Sequence, residues 1–195
     1  MRNEASLIYM GGVPGSGKTT IGKLISKKLP DIKYISSGEI KRPEAKRRFA
    51  QSLSLLDQEK TFQINAWFLN SLEQELTKGL YLIDSHYTYP LPDSSFVRLL
   101  PEEYADCIDL FILVETSPEN VYNRRIQRGR DRDSVDMDFI KKELTEEKEE
   151  VYRVSHKYRK PLEILDNQQE ISITLVNFIK ILKTIKFFGQ KIYKA

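Results

Sequence analysis

Short, uninterrupted apolar runs alternate with amphipathic stretches along this chain. Leu7-Ile8-Tyr9-Met10, Leu80-Tyr81-Leu82-Ile83 and Leu110-Phe111-Ile112-Leu113-Val114 lack the polar alternation of a half-exposed strand. Such runs predict strands buried on both faces of a parallel sheet. Tyr34-Ile35-Ser36 and Leu162-Glu163-Ile164-Leu165 read as two further short strands. Ile21, Leu24, Ile25 and Leu29 share a helical face that Pro30 ends. A second helical pattern, basic at its start, covers residues 43–78; Phe62, Ala66, Leu69, Leu72 and Leu76 form its stripe, and Gly79 closes it. Ser117-Pro118-Glu119 is a helix start, with a cap hydroxyl, a proline at the first helical position and an acid in the first turn. That helix ends in Arg124, Arg125 and Arg128 before Gly129. A polar, charge-alternating helix is expected from about 137 to 158, and a last one, with a wide apolar stripe, from about 172 to 188. The proline-rich residues 87–101 read as a loop with one helical turn. Five strands alternating with helices predict an α/β fold, a five-stranded parallel sheet between two helical layers, with ligands outside the carboxyl ends of the strands.

Composition narrows this little. At 195 residues the chain fits one domain, and 40% apolar with 30% charged residues is ordinary for a globular protein. The net charge of +3 admits small anions and does not argue for a nucleic-acid partner. A single cysteine, Cys107, excludes an internal disulfide and a cysteine-built metal site. With no secretory leader and no apolar run of membrane-spanning length, the expected compartment is the reducing cytoplasm, away from membranes.

The chemistry starts at Gly11-Gly12-Val13-Pro14-Gly15-Ser16-Gly17-Lys18-Thr19-Thr20. Gly12, Gly17, Lys18 and Thr19 fill the phosphate-loop pattern G-x-x-x-x-G-K-[ST], between a strand and a helix. Glycines let backbone N–H groups approach phosphate oxygens, and the helix N-terminus adds unpaired donors and positive charge. Lys18 suits the β- and γ-phosphates, and the Thr19 hydroxyl suits magnesium. Asp84 closes an apolar strand, where a second magnesium-coordinating carboxylate belongs; a helix cap or turn is the alternative. His86 is either a phosphate or base contact or a solvated loop position. Arg124, Arg125, Arg128, Arg130 and Arg132 crowd into nine residues, more than a helix end requires, and read as a mobile cover over a transferring phosphoryl group. Arg42, Arg47 and Arg48 are either solvated surface or the site of an acceptor's phosphate.

Together these segments resemble the nucleoside monophosphate kinases, and among them the archaeal-type adenylate kinases. Gly11 to Thr20 resembles that family's opening. Ser36-Ser37-Gly38-Glu39-Ile40-Lys41-Arg42 is similar to its S-T-G-D-x-x-R element, whose arginine binds the monophosphate. Asp84-Ser85-His86 resembles the archaeal-type D-T-H, Val114-Glu115-Thr116 with Arg124-Arg125 the V-E-T…R-R, and Arg132-Asp133 the lid's R-D. Pro161-Leu162 with Asn167 is similar to the fifth strand and adenine-side loop. The resemblance spans nearly the whole chain. It implies a P-loop NTPase fold in one domain, 1–195, with a monophosphate-binding insertion at about 37–79 and a lid at about 125–140. It implies magnesium-dependent transfer of the ATP γ-phosphoryl to a monophosphate. Gly12, Val13, Pro14, Gly15, Ser16, Gly17, Lys18, Thr19 and Thr20, with Arg124 and Asn167, would bind ATP; Ser37, Gly38, Arg42 and His86 the acceptor; Thr19 and Asp84 the metal. Lys18, Asp84, Arg128 and Arg132 would be catalytic. Archaeal-type relatives and the stripe of the last helix also point to self-association.

Three departures stand out. Residues 43–56 are short for a monophosphate-binding segment, Glu143 replaces a lid-helix arginine, and Lys148 stands near where another is expected. The Ser36 to Arg42 element is also similar to cytidylate kinases, which makes CMP a second acceptor. A kinase of a hydroxyl acceptor, with Glu39 or Asp84 as base, is a rival reading. A regulatory ATPase that docks a partner on the lysine face of the last helix is another.

Overall fold

The computed structural model describes residues 5–129 and 134–184. In chain order these form β1 (Ala5–Gly11), α1 (Lys18–Lys28), β2 (Ile32–Ser36), α2 (Ser37–Phe49), α3 (Gln58–Glu75), β3 (Gly79–Asp84), β4 (Thr88–Pro90) and β5 (Phe96–Arg98). Then follow α4 (Glu102–Ala105), β6 (Leu110–Glu115), α5 (Pro118–Arg128), α6 (Met137–Tyr158), β7 (Leu162–Asp166) and α7 (Ile171–Thr184).

As the apolar runs required, β1, β2, β3, β6 and β7 make one parallel five-stranded sheet, in the order β2-β3-β1-β6-β7. Alternate side chains of β1 leave on opposite faces. Leu7 and Tyr9 enter a core with Phe68, Phe111 and Val154, under α3 and α6. Ile8 and Met10 enter another with Ile21, Ile25 and Phe178, under α1 and α7. The result is a three-layer α/β/α fold of the P-loop NTPase type. Chain order reverses direction at β1, between β3 and β6, so a crevice opens at its carboxyl end. The register there pairs Met10 with Asp84 and Ser36 with Asp84, which brings the phosphate loop, the start of α2 and the end of β3 together.

Four local expectations need correction. Helix α2 starts at Ser37, directly off β2, and stops at Ala50, whose φ of 53° breaks the helical run before α3. Asp57 caps α3 by accepting from the Lys60 N–H at 2.9 Å. The inward face of α3 carries Thr61, Ile64, Asn65, Phe68, Leu69 and Leu72, while Phe62 and Ala66 are exposed. Two polar residues on that face hide its periodicity. Between residues 87 and 101 the chain forms a two-stranded antiparallel ribbon, β4 with β5, besides the single turn of α4. Its strands of three residues are too short to show a period. Finally, α6 spans Met137–Tyr158 as expected, yet its inward face buries three carboxylates, Glu143, Glu147 and Glu150.

The last helix is described only to Thr184, so the remainder of the expected 172–188 span lies outside the described residues. Ile173 and Val176 of α7 are exposed. Among the described residues no helix is long and apolar enough to cross a membrane.

Candidate active site

The turn from β1 into α1 is built from backbone geometry that few residues permit. Gly12 has φ 145°, and a Cβ there would meet the Ser16 hydroxyl at 2.8 Å and the Val114 carbonyl at 2.9 Å. Gly17, at φ 102°, is the cap residue of α1, and a Cβ on it would lie 2.3 Å from the Asn167 amide nitrogen. The turn closes with the Ser16 N–H donating to the Val13 carbonyl at 3.0 Å. Lys18 folds back over it, donating to the Gly12 carbonyl and, at 3.2 Å, to that of Val13. Burial pulls the Lys18 pKa down, while Asp84 and Glu147 oppose the shift. Val13 packs with Val121 and Ile140, and Thr20 faces solvent.

One hydroxyl into α1, Thr19 Oγ1 donates to Asp84 Oδ2 at 2.7 Å, and the Tyr34 hydroxyl donates to the same oxygen at 2.8 Å. Thr19 and Asp84 thus offer adjacent oxygens at the foot of the crevice. A hard divalent ion such as magnesium needs one or two such protein oxygens and fills its shell with water and phosphate, so the donor set fits it. Among the described residues no larger metal-binding cluster exists.

A cavity of about 340 Å³ opens above this pair. Lys18, Thr19, Asp84 and His86 line its floor, Ser37, Gly38 and Arg42 come from α2, and Arg128 from α5. Ser37 Oγ donates to Ser85 Oγ at 3.0 Å, tying α2 to the end of β3. His86 lies beside Tyr89 in the cavity lining rather than in free solvent. Burial, and then the charges of Lys18 and Lys41, push its pKa well below the usual imidazole value, so at neutral pH it presents a neutral ring. Arg47 and Arg48 stay outside, paired with Glu44 on the outer side of α2.

The arginine cluster divides. Arg124 is a clamp: it donates to the carbonyls of Gly15 at 3.3 Å, Ser16 at 3.1 Å and Asn167 at 2.9 Å. Asn167 in turn donates from Nδ2 to the Ser16 carbonyl at 2.6 Å. Arg125 is buried, not a mobile cover. It donates to the Pro14 carbonyl at 2.9 Å and pairs with Glu143 at 2.7 Å, which accounts for the acid in that position. Lys148 pairs with Glu115 at 2.8 Å. Arg130 and Arg132 lie outside the described residues.

Sequence reasoning missed three contributors. Glu147 accepts from the N–H groups of Gly12, Tyr87 and Thr88 and from the Thr88 hydroxyl, at 2.6 to 2.9 Å. Tyr34 braces Asp84 and fits closely against Gly22, where a Cβ would lie 2.2 Å from the ring. Lys41, beside Arg42, lines the cavity at 5% exposure.

Known proteins are similar to this chain. Residues 11–141 match the family model described as AAA domain. An adenylate kinase of Pyrobaculum aerophilum is 28% identical over 167 residues, covering 77% of this chain and 75% of that one. A cytidylate kinase of Sulfurisphaera tokodaii is 36% identical over 85 residues, 41% of this chain and 45% of that one. Among solved structures, deoxyadenosine kinase from M. mycoides with bound dCTP shares the fold, with a TM-score of 0.57, 18% identity, and coverage of 92% of this chain and 100% of that one. Shikimate kinase from Acinetobacter baumannii in complex with shikimate shares it as well, with a TM-score of 0.57, 17% identity and 93% of each chain covered. With two thirds of its length inside the family model and an intact phosphate loop at its head, the chain belongs to the AAA domain family as a P-loop protein of the nucleoside monophosphate kinase type.

Proposed function

We propose that this protein transfers the γ-phosphoryl group of ATP to the phosphate of AMP, giving two ADP, with residues 37–79 holding the acceptor and residues 125–140 serving as the lid. The observation that carries the reading is the lining of the acceptor side. Arg42 faces the same cavity as Lys18, whereas Glu39, the candidate base for a hydroxyl acceptor, pairs with Lys23 at 2.7 Å on the surface. Asp84, the other candidate base, has its Oδ2 held by two hydroxyls and lies beside Thr19 as a metal-binding pair. A phosphate oxyanion is already a nucleophile and needs no base; it needs cations to hold it in line.

In this mechanism an acceptor phosphate oxygen attacks the γ-phosphorus, and the bond to the β–γ bridging oxygen breaks, leaving ADP. Lys18 exchanges the loop carbonyls it now holds for β- and γ-phosphate oxygens. Arg124 and Asn167 keep the loop in shape from behind. Arg42 orients the acceptor, and Arg128, with Arg132, neutralises charge as the lid excludes water. Magnesium held through Thr19 and Asp84 would spread the phosphate charge. CMP is the second acceptor, favoured by the 36% identity to a cytidylate kinase.

The test is transfer from labelled ATP with magnesium to AMP, CMP, UMP, GMP, dAMP, deoxyadenosine, shikimate or a 5′-hydroxyl oligonucleotide, beside a control without acceptor. Label in ADP or CDP supports the reading and names the acceptor. Label in a hydroxyl compound, or only in free phosphate, overturns it.

A further inference from the structure

Lys41 is a buried cation that the mechanism above does not use. Its ammonium donates to Asn65 Oδ1 at 3.3 Å and lies 5.4 Å from the centre of the Phe68 ring. Among the described residues no carboxylate pairs with it. A buried ammonium with only an amide oxygen and a ring face for company is poorly compensated, and such sites are sustained where an anion is to be received. Burial holds its pKa at about 8, against the attraction of Asp84.

Its surroundings reinforce the point. Asn65 is fixed because its Nδ2 donates to the Leu99 carbonyl, so the amide oxygen is aimed at Lys41 and not free to turn away. One turn earlier on α3, Thr61 Oγ1 lines the same cavity, buried and without a hydrogen-bond partner. Cationic side chains outnumber acidic ones in the cavity lining: Lys18 of α1, Lys41 and Arg42 of α2, and Arg125 and Arg128 of α5, with Asp84 of β3 and Glu143 of α6, while His86 is neutral.

We propose that Lys41, with Arg42, binds the phosphate of the acceptor nucleotide, Asn65 holding its ammonium in place and the Thr61 hydroxyl donating to the same ligand. This rests on the acceptor being a nucleoside monophosphate. Arg42, exposed at the rim, captures the incoming group, and the buried Lys41 fixes it near the floor of the crevice. The buried ammonium gains its missing counter-ion only when the acceptor is seated, so part of the binding energy is specific to the phosphate and absent for a bare nucleoside.

The experiment is steady-state kinetics of wild type, Lys41→Met and Lys41→Arg with ATP and whichever monophosphate the wild type uses, together with inhibition by the corresponding nucleoside and thermal melting. The expected result for Lys41→Met is an acceptor KM raised about tenfold or more. Its ATP KM and nucleoside inhibition stay within about twofold, as befits the loss of one phosphate contact, and its melting temperature is no lower. Lys41→Arg regains part of the lost affinity. An unchanged acceptor KM in Lys41→Met overturns the inference, as does a parallel rise of both KM values with a lower melting temperature. A wild type that phosphorylates no monophosphate at all overturns the reading of the site itself, and is distinguished by appearing before any substitution is made.

Discussion

The Gly12 N–H donates to Glu147 Oε1 at 2.6 Å across 135 residues of chain. The same carboxylate accepts from Tyr87 and Thr88 just beyond β3. One side chain of α6 therefore fixes the first glycine of the phosphate loop relative to the segment that carries Asp84 and His86. It is 2% exposed, and burial pushes its carboxyl above the ordinary value, with Lys18 and the donated N–H groups opposing.

Glu147→Ala should strip a buried acceptor from three N–H groups at once. The expected cost is about 3 kcal/mol or more in denaturant unfolding. Glu147→Gln keeps one acceptor oxygen and should cost roughly half as much, with ATP KM raised more than acceptor KM. Equal stability of all three proteins would show that the loop does not depend on this clamp.

Lys18→Ala should retain the fold and lose phosphoryl transfer by about a thousandfold. Circular dichroism checks the first half, and labelled ATP turnover the second. A folded variant with unchanged turnover would remove Lys18 from the chemistry.

Asp84→Asn leaves the Thr19 and Tyr34 hydroxyls a weaker, neutral acceptor. The magnesium concentration for half-maximal rate should rise about tenfold to a hundredfold, with nucleotide binding in the absence of magnesium little changed. Titrating magnesium at fixed nucleotide separates the two.

Asn167→Ala removes a hydrogen bond to the Ser16 carbonyl behind the loop and should act on the donor alone. ATP KM is expected to rise about tenfold while acceptor KM stays put. The opposite pattern would place Asn167 on the acceptor side.

Lys41 gives a stability signature with a definite sign. Its pKa in the folded chain is about 8, below the ordinary 10.5, so between those values the unfolded chain binds more protons than the folded one. Stability contributed by this site therefore rises as pH is raised from 8 towards 10.5, and the penalty is complete below 8. Lys41→Met should be more stable than wild type at pH 7 by up to about 3 kcal/mol, with the gap closing as pH rises. Urea midpoints at pH 7 and above 9 measure it; a gap that widens with pH would refute the assignment.

The residues at the floor of the candidate site were legible because they are local. Gly12, Gly17, Lys18 and Thr19 share one strand-to-helix turn of contiguous residues, and Asp84 could be placed by its position at the end of an apolar strand. The helix from Pro118 was equally plain: its Ser117 cap accepts from the Asn120 N–H at 3.2 Å, and Gly129 takes the left-handed conformation after it. The inward face of α3 was legible at Leu69 and Leu72 but not at its first two turns, where the polar Thr61 and Asn65 interrupt the apolar period that would reveal it.

The five strands of the parallel sheet, most of the helices between them and the glycine-rich turn follow from the sequence alone, because strand burial and glycine geometry are written in contiguous residues; the order of the strands in the sheet does not. Which charges meet was decided by the tertiary structure. Glu147, in a stretch that reads as a polar, charge-alternating helix, became a clamp; Arg125, in a cluster that reads as a mobile cover, became a buried pair with Glu143; and Lys41 became a cation that no carboxylate pairs with among the described residues. The physical reason is that a charge's energy depends on the dielectric and partners around it, and packing supplies both from segments distant in the chain.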